Sequence, residues 1–155
     1  MNYFPEYVQL ALSEIPSEIS AVVPLAGCSH SCYHCHSPQY QDRNGGEWLT
    51  YYTYRDILEK YYRKASCILF FGGEYDTEEL VKLSWLARLK GFKTALYSGF
   101  EYDELPENIL REFTYIKTGK YVEELGGINI KGTNQRLWKR VDGELVDITA
   151  EMQRG

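Results

Sequence analysis

The chain has 155 residues, of which 44% are hydrophobic and 25% are charged, and its 22 acidic and 17 basic side chains leave a formal net charge of −5. This length predicts a single domain over residues 1–155, and the acidic balance disfavours a nucleic-acid partner, because phosphates attract basic surfaces. The apolar runs are too short to cross a membrane, and the N-terminus lacks the basic start and apolar stretch of a signal peptide. We therefore expect a cytoplasmic protein without a membrane partner.

Predicted strands alternate with predicted helices over most of the sequence. Apolar runs indicate strands at residues 7–12, 19–27, 66–71, 93–99 and 114–119. Helices are expected between them at residues 54–65, 78–90 and 106–113. Thr53 and Thr77 are the expected N-caps of the first two helices, Gly91 follows the second, and Pro106 opens the third. Such alternation predicts an α/β fold with a mostly parallel sheet.

The last part of the chain changes character. Two apolar-rich runs, at residues 135–141 and 144–149, are separated only by Asp142 and Gly143. An Asp-Gly pair in this setting is a strong signal for a tight β-hairpin turn. The sequence therefore predicts a C-terminal β-hairpin after the α/β portion.

Each of the four predicted parallel strands ends in a polar or glycine-rich loop. These loops are the cysteine-rich stretch at residues 28–36 and the residues 72–74, 98–99 and 118–119. In parallel sheets the carboxyl ends of the strands share one edge, and ligands bind there. We expect a binding site at that edge.

The cysteine-rich stretch reads AGCSHSCYHCHSPQY and places Cys28, Cys32 and Cys35 at a Cys-x3-Cys-x2-Cys spacing. In a reducing compartment such a cluster binds metal or performs chemistry more often than it forms disulfides. A [4Fe–4S] cluster ordinarily takes four cysteines. The remaining cysteine, Cys67, lies inside an apolar strand and is interpreted as a buried core thiol. A cluster on this loop would therefore have one iron without a protein ligand.

Zinc is the competing interpretation of the same loop. Three thiolates and one of His30, His34 or His36 would complete a tetrahedral Cys₃His site in a non-catalytic adaptor. The absence of a second ligand pair elsewhere in the sequence disfavours this alternative. The chain is also long enough to fold without a structural metal.

Two motifs in the right order resemble the radical S-adenosylmethionine enzymes. The first is the cysteine spacing with Tyr33 between its last two cysteines, and the second is FFGGE at residues 70–74, which resembles the Gly-Gly-Glu motif of that superfamily. Further stretches, GCSHSCYHCHSPQYQ, LYSGF, IKTGKYVEEL and KGTNQRLW, resemble the activating proteins of anaerobic ribonucleoside-triphosphate reductase. This resemblance covers residues 8–137.

The resemblance implies a fold and a chemistry. The fold would be a partial (βα) barrel or a curved, open, mostly parallel sheet of the radical S-adenosylmethionine type. Cys28, Cys32 and Cys35 would hold a [4Fe–4S] cluster whose fourth iron is chelated by S-adenosylmethionine, and one electron would release methionine and a 5′-deoxyadenosyl radical. That radical would take a hydrogen from a glycine of the reductase, so the partners would be the reductase and an electron donor such as flavodoxin.

The resemblance also implies the contacts to S-adenosyl-L-methionine. Gly72, Gly73 and Glu74 would fix its amino group, although in isolation they indicate only a turn and a solvated carboxylate. Ser98 and Asn134 are candidates for polar contacts in the pocket. The implied cofactor-binding set is Tyr33, His34, Cys35, His36, Gly72, Gly73, Glu74 and Ser98.

Two further alternatives concern the substrate. A different small radical S-adenosylmethionine enzyme, such as 7-carboxy-7-deazaguanine synthase, also carries a Gly-Gly-Glu type motif, but the GTNQRLW stretch favours the activase. The tyrosine-rich residues 51–64 fit a docking face for a protein partner, since tyrosine is enriched at interfaces. A helix with an aromatic inner face is the simpler interpretation of that stretch.

Overall fold

The computed structural model describes residues 1–27 and 44–153, and its helices lie between strands along the chain. The strands are β1 (Asn2–Tyr3), β2 (Gln9–Ala11), β3 (Ser20–Pro24), β4 (Glu47–Trp48), β5 (Cys67–Phe71), β6 (Lys93–Tyr97), β7 (Tyr115–Thr118), β8 (Arg136–Val141) and β9 (Glu144–Asp147). The α-helices are α1 (Tyr51–Tyr61), α2 (Thr77–Leu89) and α3 (Glu107–Glu112). No helix in these two ranges is long and apolar enough to cross a membrane.

Seven of the strands form one sheet in the order β2-β3-β5-β6-β7-β8-β9. The central strands β3, β5, β6 and β7 are parallel, whereas β2 on one side and the β8–β9 pair on the other are antiparallel. Pro24 pairs with Phe71, Phe71 with Tyr97, and Tyr97 with Lys117, so the parallel strands end level with one another. We call this side of the sheet the carboxyl edge.

Side chains of the central strands alternate between two buried faces. One face, with Val23, Phe70 and Leu96 among its members, packs against the helices. The opposite face carries Cys67 and Leu69 in a second apolar cluster. Burial on both faces explains why these strands read as continuous apolar runs rather than as alternating ones.

The α/β class and the C-terminal hairpin are both confirmed. Strands β8 and β9 pair directly, with Val141 opposite Glu144. Asp142 and Gly143 both adopt positive φ, 52° and 83°, the combination that a two-residue type I′ turn requires. The partial barrel stays a prediction, because strand pairing specifies order and direction but not curvature.

Both predicted helix caps were wrong by one or three residues. The N-cap of α1 is Thr50, whose Oγ1 accepts a hydrogen bond from the N–H of Thr53 at 3.1 Å. The buried residues Tyr54, Leu58 and Tyr61 lie on one face at i, i+4 and i+7, and both starts contain this face. The earlier start is set locally, because the N–H of Tyr54 donates to the carbonyl of Thr50 at 2.9 Å and so adds a helical turn before Tyr54.

The N-cap of the second helix also precedes the predicted one, here by a single residue. Asp76 caps α2, because its Oδ1 accepts from the N–H of Glu79 at 3.4 Å. Thr77 is instead the first helical residue, and its hydroxyl donates to the carbonyl of Glu74 at 2.9 Å. A carboxylate at this position also interacts favourably with the helix dipole. The Gly91 prediction is confirmed, since Gly91 follows the C-terminus of α2 with φ 96°.

A buried charge cluster joins the other ends of the strands. Glu18 is 5% exposed and accepts three hydrogen bonds: from Lys93 Nζ at 2.8 Å, from the Tyr115 hydroxyl at 2.7 Å and from Ser66 Oγ at 2.7 Å. Burial by itself raises the pKa of Glu18, but these hydrogen bonds and the Lys93 charge lower it below its ordinary value. The cluster ties the segment before β3 to the starts of β5, β6 and β7.

Candidate functional site

The carboxyl edge gathers the predicted residues that the structure describes. Gly72, Gly73 and Glu74 follow β5, Ser98 follows β6, and Asn134 precedes β8. The remaining predicted residues lie outside the described ranges. They are the predicted cluster ligands Cys28, Cys32 and Cys35, the predicted cofactor contacts Tyr33, His34 and His36, and the candidate zinc ligand His30.

Two glycines shape the loop after β5. Gly72 and Gly73 have φ values of 76° and 96°, in the left-handed region that side chains disfavour. A Cβ on Gly73 would lie 2.6 Å from Cδ1 of the buried Leu25, so this position admits no side chain without repacking. The N–H of Gly72 donates to the carbonyl of Tyr97 at 3.1 Å and so ties the loop to β6. The loop after β5 is therefore fixed to β6 and carries no side chain at residues 72 and 73.

Glu74 presents a carboxylate oxygen without a donor. Its Oε2 accepts from Ser98 Oγ at 2.9 Å, whereas its buried Oε1 has no hydrogen-bond partner among the described residues. A Cβ on Gly72 would lie 3.8 Å from that Oε1. Burial raises the pKa of the Glu74 carboxyl, and the residue's own nearby backbone N–H and the Ser98 hydroxyl offset part of the effect. A buried acceptor left unpaired costs about 1–3 kcal/mol, which a cationic donor would recover.

Ser98 holds Glu74 in this orientation. The side chain is only 3% exposed, and its Oγ accepts from the N–H of Phe100 at 3.1 Å while donating to Glu74. Because the backbone donor occupies one side of the hydroxyl, the hydroxyl hydrogen is directed at the carboxylate. The predicted direct contact of Ser98 with a cofactor stays a prediction, whereas its contact with Glu74 is observed.

The loop after β7 is tied to the segment that precedes β8. Gly119 donates its N–H to the carbonyl of Phe100 at 2.7 Å and accepts from Gln135 Nε2 at 3.2 Å. Asn134 Nδ2 donates to the carbonyl of Lys120 at 3.0 Å. The role of Gln135 was missed from the sequence, although it lies within the GTNQRLW stretch whose resemblance was noted.

Cys67 is the buried core thiol that the sequence predicts. It is fully buried as the first residue of β5, about 16 Å along the strand from the Gly72 end. Burial, together with the charge of Glu18, raises the pKa of its thiol to about 12. The thiol is therefore protonated at neutral pH and is a poor metal ligand.

The described ranges contain no group of three or more His, Cys, Asp or Glu side chains that could hold a metal ion.

The tyrosine-rich helix is partly as predicted: Tyr54 and Tyr61 are buried, which confirms its aromatic inner face. Tyr51 and Tyr52 are exposed.

Comparison with known proteins supports the motif resemblance. The chain is 28% identical over 134 residues to the anaerobic ribonucleoside-triphosphate reductase-activating protein of Enterobacteria phage T4, an alignment that covers 79% of this chain and 85% of the relative. The predicted resemblance to such activating proteins is thereby confirmed. No solved structure gives a significant match to the chain.

A family described as a 4Fe-4S single cluster domain matches residues 19–143. The matched range takes in the cysteine-rich stretch and every strand of the sheet from β3 to β8. Since the match covers most of the sequence, the chain belongs to the family of 4Fe-4S single cluster domains.

Proposed function

We propose that this chain is a radical S-adenosylmethionine activase, an oxidoreductase that generates a glycyl radical on anaerobic ribonucleoside-triphosphate reductase. The observation that carries the proposal is the buried, unpaired Oε1 of Glu74 behind Gly72 and Gly73, in a chain of the 4Fe-4S family. The name of the phage relative supports the choice of the reductase as partner.

The residues fit the cofactors that the proposal requires. Cys28, Cys32 and Cys35 would hold three irons of the [4Fe–4S] cluster as thiolates. The bound cluster and S-adenosylmethionine together supply reductive cleavage of a sulfonium, which is chemistry that no protein side chain offers. Cys67 takes no part, because its thiol is buried at the far end of β5.

Glu74 is the proposed acceptor for the amino group of S-adenosylmethionine. An N–H of that group placed at Oε1 supplies the missing donor, and the carboxylate makes this a charge-assisted hydrogen bond. Ser98 keeps the other oxygen occupied, so that only Oε1 is available to the ligand. Gly72 leaves room beside that oxygen because it has no Cβ. The residues Tyr33, His34, Cys35 and His36 would flank the adenosyl group.

The protein partners follow from the same chemistry. A glycine of the reductase would be brought to the carboxyl edge, where the cofactor binds, and a reduced protein such as flavodoxin would supply the electron. Free thiolates require a reducing compartment, which supports a cytoplasmic location.

Anaerobic reconstitution with iron and sulfide tests the proposal. After addition of dithionite and S-adenosylmethionine, we expect 5′-deoxyadenosine by chromatography and, with the reductase present, a glycyl radical by electron paramagnetic resonance. The variants Cys28→Ala, Cys32→Ala and Cys35→Ala are expected to lose both signals, and Cys67→Ala to retain them. A colourless protein that binds one zinc ion would overturn the proposal and favour the adaptor.

A further inference from the structure

We propose that Asn134 is a second ligand-binding residue of this site and accepts a hydrogen bond from the adenosyl half of S-adenosylmethionine. This inference rests on the proposed function. It names the residue that recognises the end of the ligand remote from Glu74.

The first observation is an unpaired acceptor. Three buried side-chain atoms in the described ranges lack a hydrogen-bond partner: Ser20 Oγ, Glu74 Oε1 and Asn134 Oδ1. Ser20 begins β3, at the opposite edge of the sheet from the other two. The carboxyl edge therefore holds two unpaired atoms, and both are carbonyl-type oxygens that can only accept. A ligand that satisfies this edge must bring a donor to each of them.

The orientation of the Asn134 amide is fixed by its neighbours. Its Nδ2 donates to the carbonyl of Lys120 at 3.0 Å. Because a carbonyl can only accept, the NH₂ group must face Lys120, and the oxygen must face away from it. Rotating the amide to pair the oxygen elsewhere would break this hydrogen bond.

The backbone around Asn134 is held rigidly. Gly119 packs against it so closely that a Cβ there would lie 3.1 Å from the Asn134 carbonyl oxygen and 3.2 Å from the Gln135 Cα, at a φ of 94°. Gln135 donates its side-chain N–H to Gly119 and its backbone N–H to Thr133 Oγ1 at 3.1 Å. Because this backbone is rigid, the Asn134 side chain holds its unpaired Oδ1 in one position, as a binding residue requires.

A series of hydrogen bonds along the carboxyl edge links Glu74 to Gln135, the residue that follows Asn134 in the chain. Glu74 accepts from Ser98, Ser98 accepts from Phe100, and Phe100 accepts from Gly119, the residue that Gln135 binds. Strand β8, which Asn134 precedes, lies three positions from β5 in the sheet, a separation of about 14 Å. An elongated ligand fixed at Glu74 by one end can reach Asn134 with the other.

The chemistry of the ligand selects the adenosyl half. With the amino group placed at Glu74, the carboxylate and sulfonium of the methionine half have no N–H or O–H to donate. The remaining donors are the 6-amino group of adenine and the two ribose hydroxyls. Asn134 Oδ1 is therefore assigned to one of these groups.

Titration calorimetry on the reconstituted, unreduced protein tests the assignment without turnover. We expect Asn134→Leu to bind S-adenosylmethionine about three- to tenfold more weakly than the wild type, the effect of one lost hydrogen bond. The exposed Asn108 on α3 provides the matched control, and Asn108→Leu is expected to bind normally. The cluster absorbance and the unfolding midpoint of each variant verify that the protein is intact.

Ligand analogues identify the donor on the wild-type protein itself. The analogues replace the 6-amino group by a carbonyl, or lack the 2′- or the 3′-hydroxyl. One of them should bind the wild type more weakly and show no further loss with Asn134→Leu. If the wild type binds S-adenosylmethionine and Asn134→Leu binds it equally well, this assignment alone would be overturned. The same holds if the wild type binds all three analogues as tightly as S-adenosylmethionine. Wild type that binds no S-adenosylmethionine would overturn the proposed function.

Discussion

At the scale of single residues, Glu74 is the most informative group in the described part of the chain. Its carboxylate is buried and its pKa is raised above the ordinary value of 4.5, chiefly because burial disfavours the charged form. Proteins seldom keep such a group unpaired unless a ligand completes it. The raised pKa also makes ligand binding dependent on pH, because the ionised carboxylate accepts a hydrogen bond from the amino group more strongly than the protonated carboxyl does.

This dependence gives a prediction for the reconstituted wild-type protein. As the pH falls through the raised pKa of Glu74, we expect affinity for S-adenosylmethionine to decrease, at a pH where an ordinary glutamate is still ionised. Glu74→Gln should bind at least tenfold more weakly at neutral pH and lose this pH dependence. Dissociation constants measured by calorimetry from pH 5 to 8 provide the test, and a variant with the wild-type profile would remove Glu74 from the site.

Ser98 is expected to act through Glu74. Ser98→Ala removes the hydroxyl that donates to Oε2, which should raise the pKa of Glu74 further and move the binding profile to higher pH. The loss in affinity should be severalfold at neutral pH and small at pH 8. Ser98→Thr keeps the hydroxyl and should retain the wild-type profile. Equal losses at every pH would instead indicate a general packing defect.

At the scale of elements, the turn after β5 combines two demands on glycine that can be separated experimentally. Gly73 and Gly91 share a φ of 96°, but only Gly73 is crowded, by Leu25 Cδ1 at 2.6 Å from the Cβ position. Gly91→Ala therefore introduces backbone strain alone, of about 1 kcal/mol. Gly73→Ala adds overpacking of about 1–3 kcal/mol. Urea unfolding of the two variants should show this difference, and equal destabilisation would contradict the crowding.

The helix starts offer a second matched pair. Thr50→Ala removes the observed cap of α1 and should cost about 1 kcal/mol of the free energy of unfolding. Thr53→Ala removes the cap that the sequence pattern favoured and should cost less, because Thr53 donates its backbone N–H, which alanine retains. Urea titrations distinguish the two, and a larger loss for Thr53→Ala would restore the later helix start.

At the scale of the whole molecule, what could be predicted depended on how local the signal was. The parallel strands β3, β5, β6 and β7 were found because each lies in an apolar-rich run, and the Asp142-Gly143 turn because its chemistry is local. The two-residue strands β1 and β4 were missed because they are too short for any periodicity. Motif resemblance predicted Glu74 and Ser98 as site residues, but it did not show that they form a hydrogen bond with each other across 24 positions.

The cluster around Glu18 could not be predicted from the sequence either, because its members are far apart in the chain: Tyr115 lies 97 positions from Glu18. It nevertheless connects three of the four parallel strands at the edge remote from the site. Its hydrogen bonds lower the pKa of Glu18 below the ordinary value of 4.5. A lowered pKa contributes stability that is fully present above 4.5 and is lost as the pH falls through the folded-state value.

Glu18→Gln tests this contribution to global stability. Removing a carboxylate that is 4% exposed while its partner Lys93 is 54% exposed should cost about 1–3 kcal/mol at pH 7, below the range for a fully buried pair. The exposed pair Glu107–Arg111 is the control, and Glu107→Gln should change stability by less than about 0.5 kcal/mol. Urea unfolding at pH 7 and in steps below pH 4.5 should show the wild type approaching Glu18→Gln as acid protonates Glu18. If the difference in free energy of unfolding between wild type and Glu18→Gln persisted at low pH, its cause would be shape and packing rather than charge. The cluster would then not stabilise the sheet electrostatically.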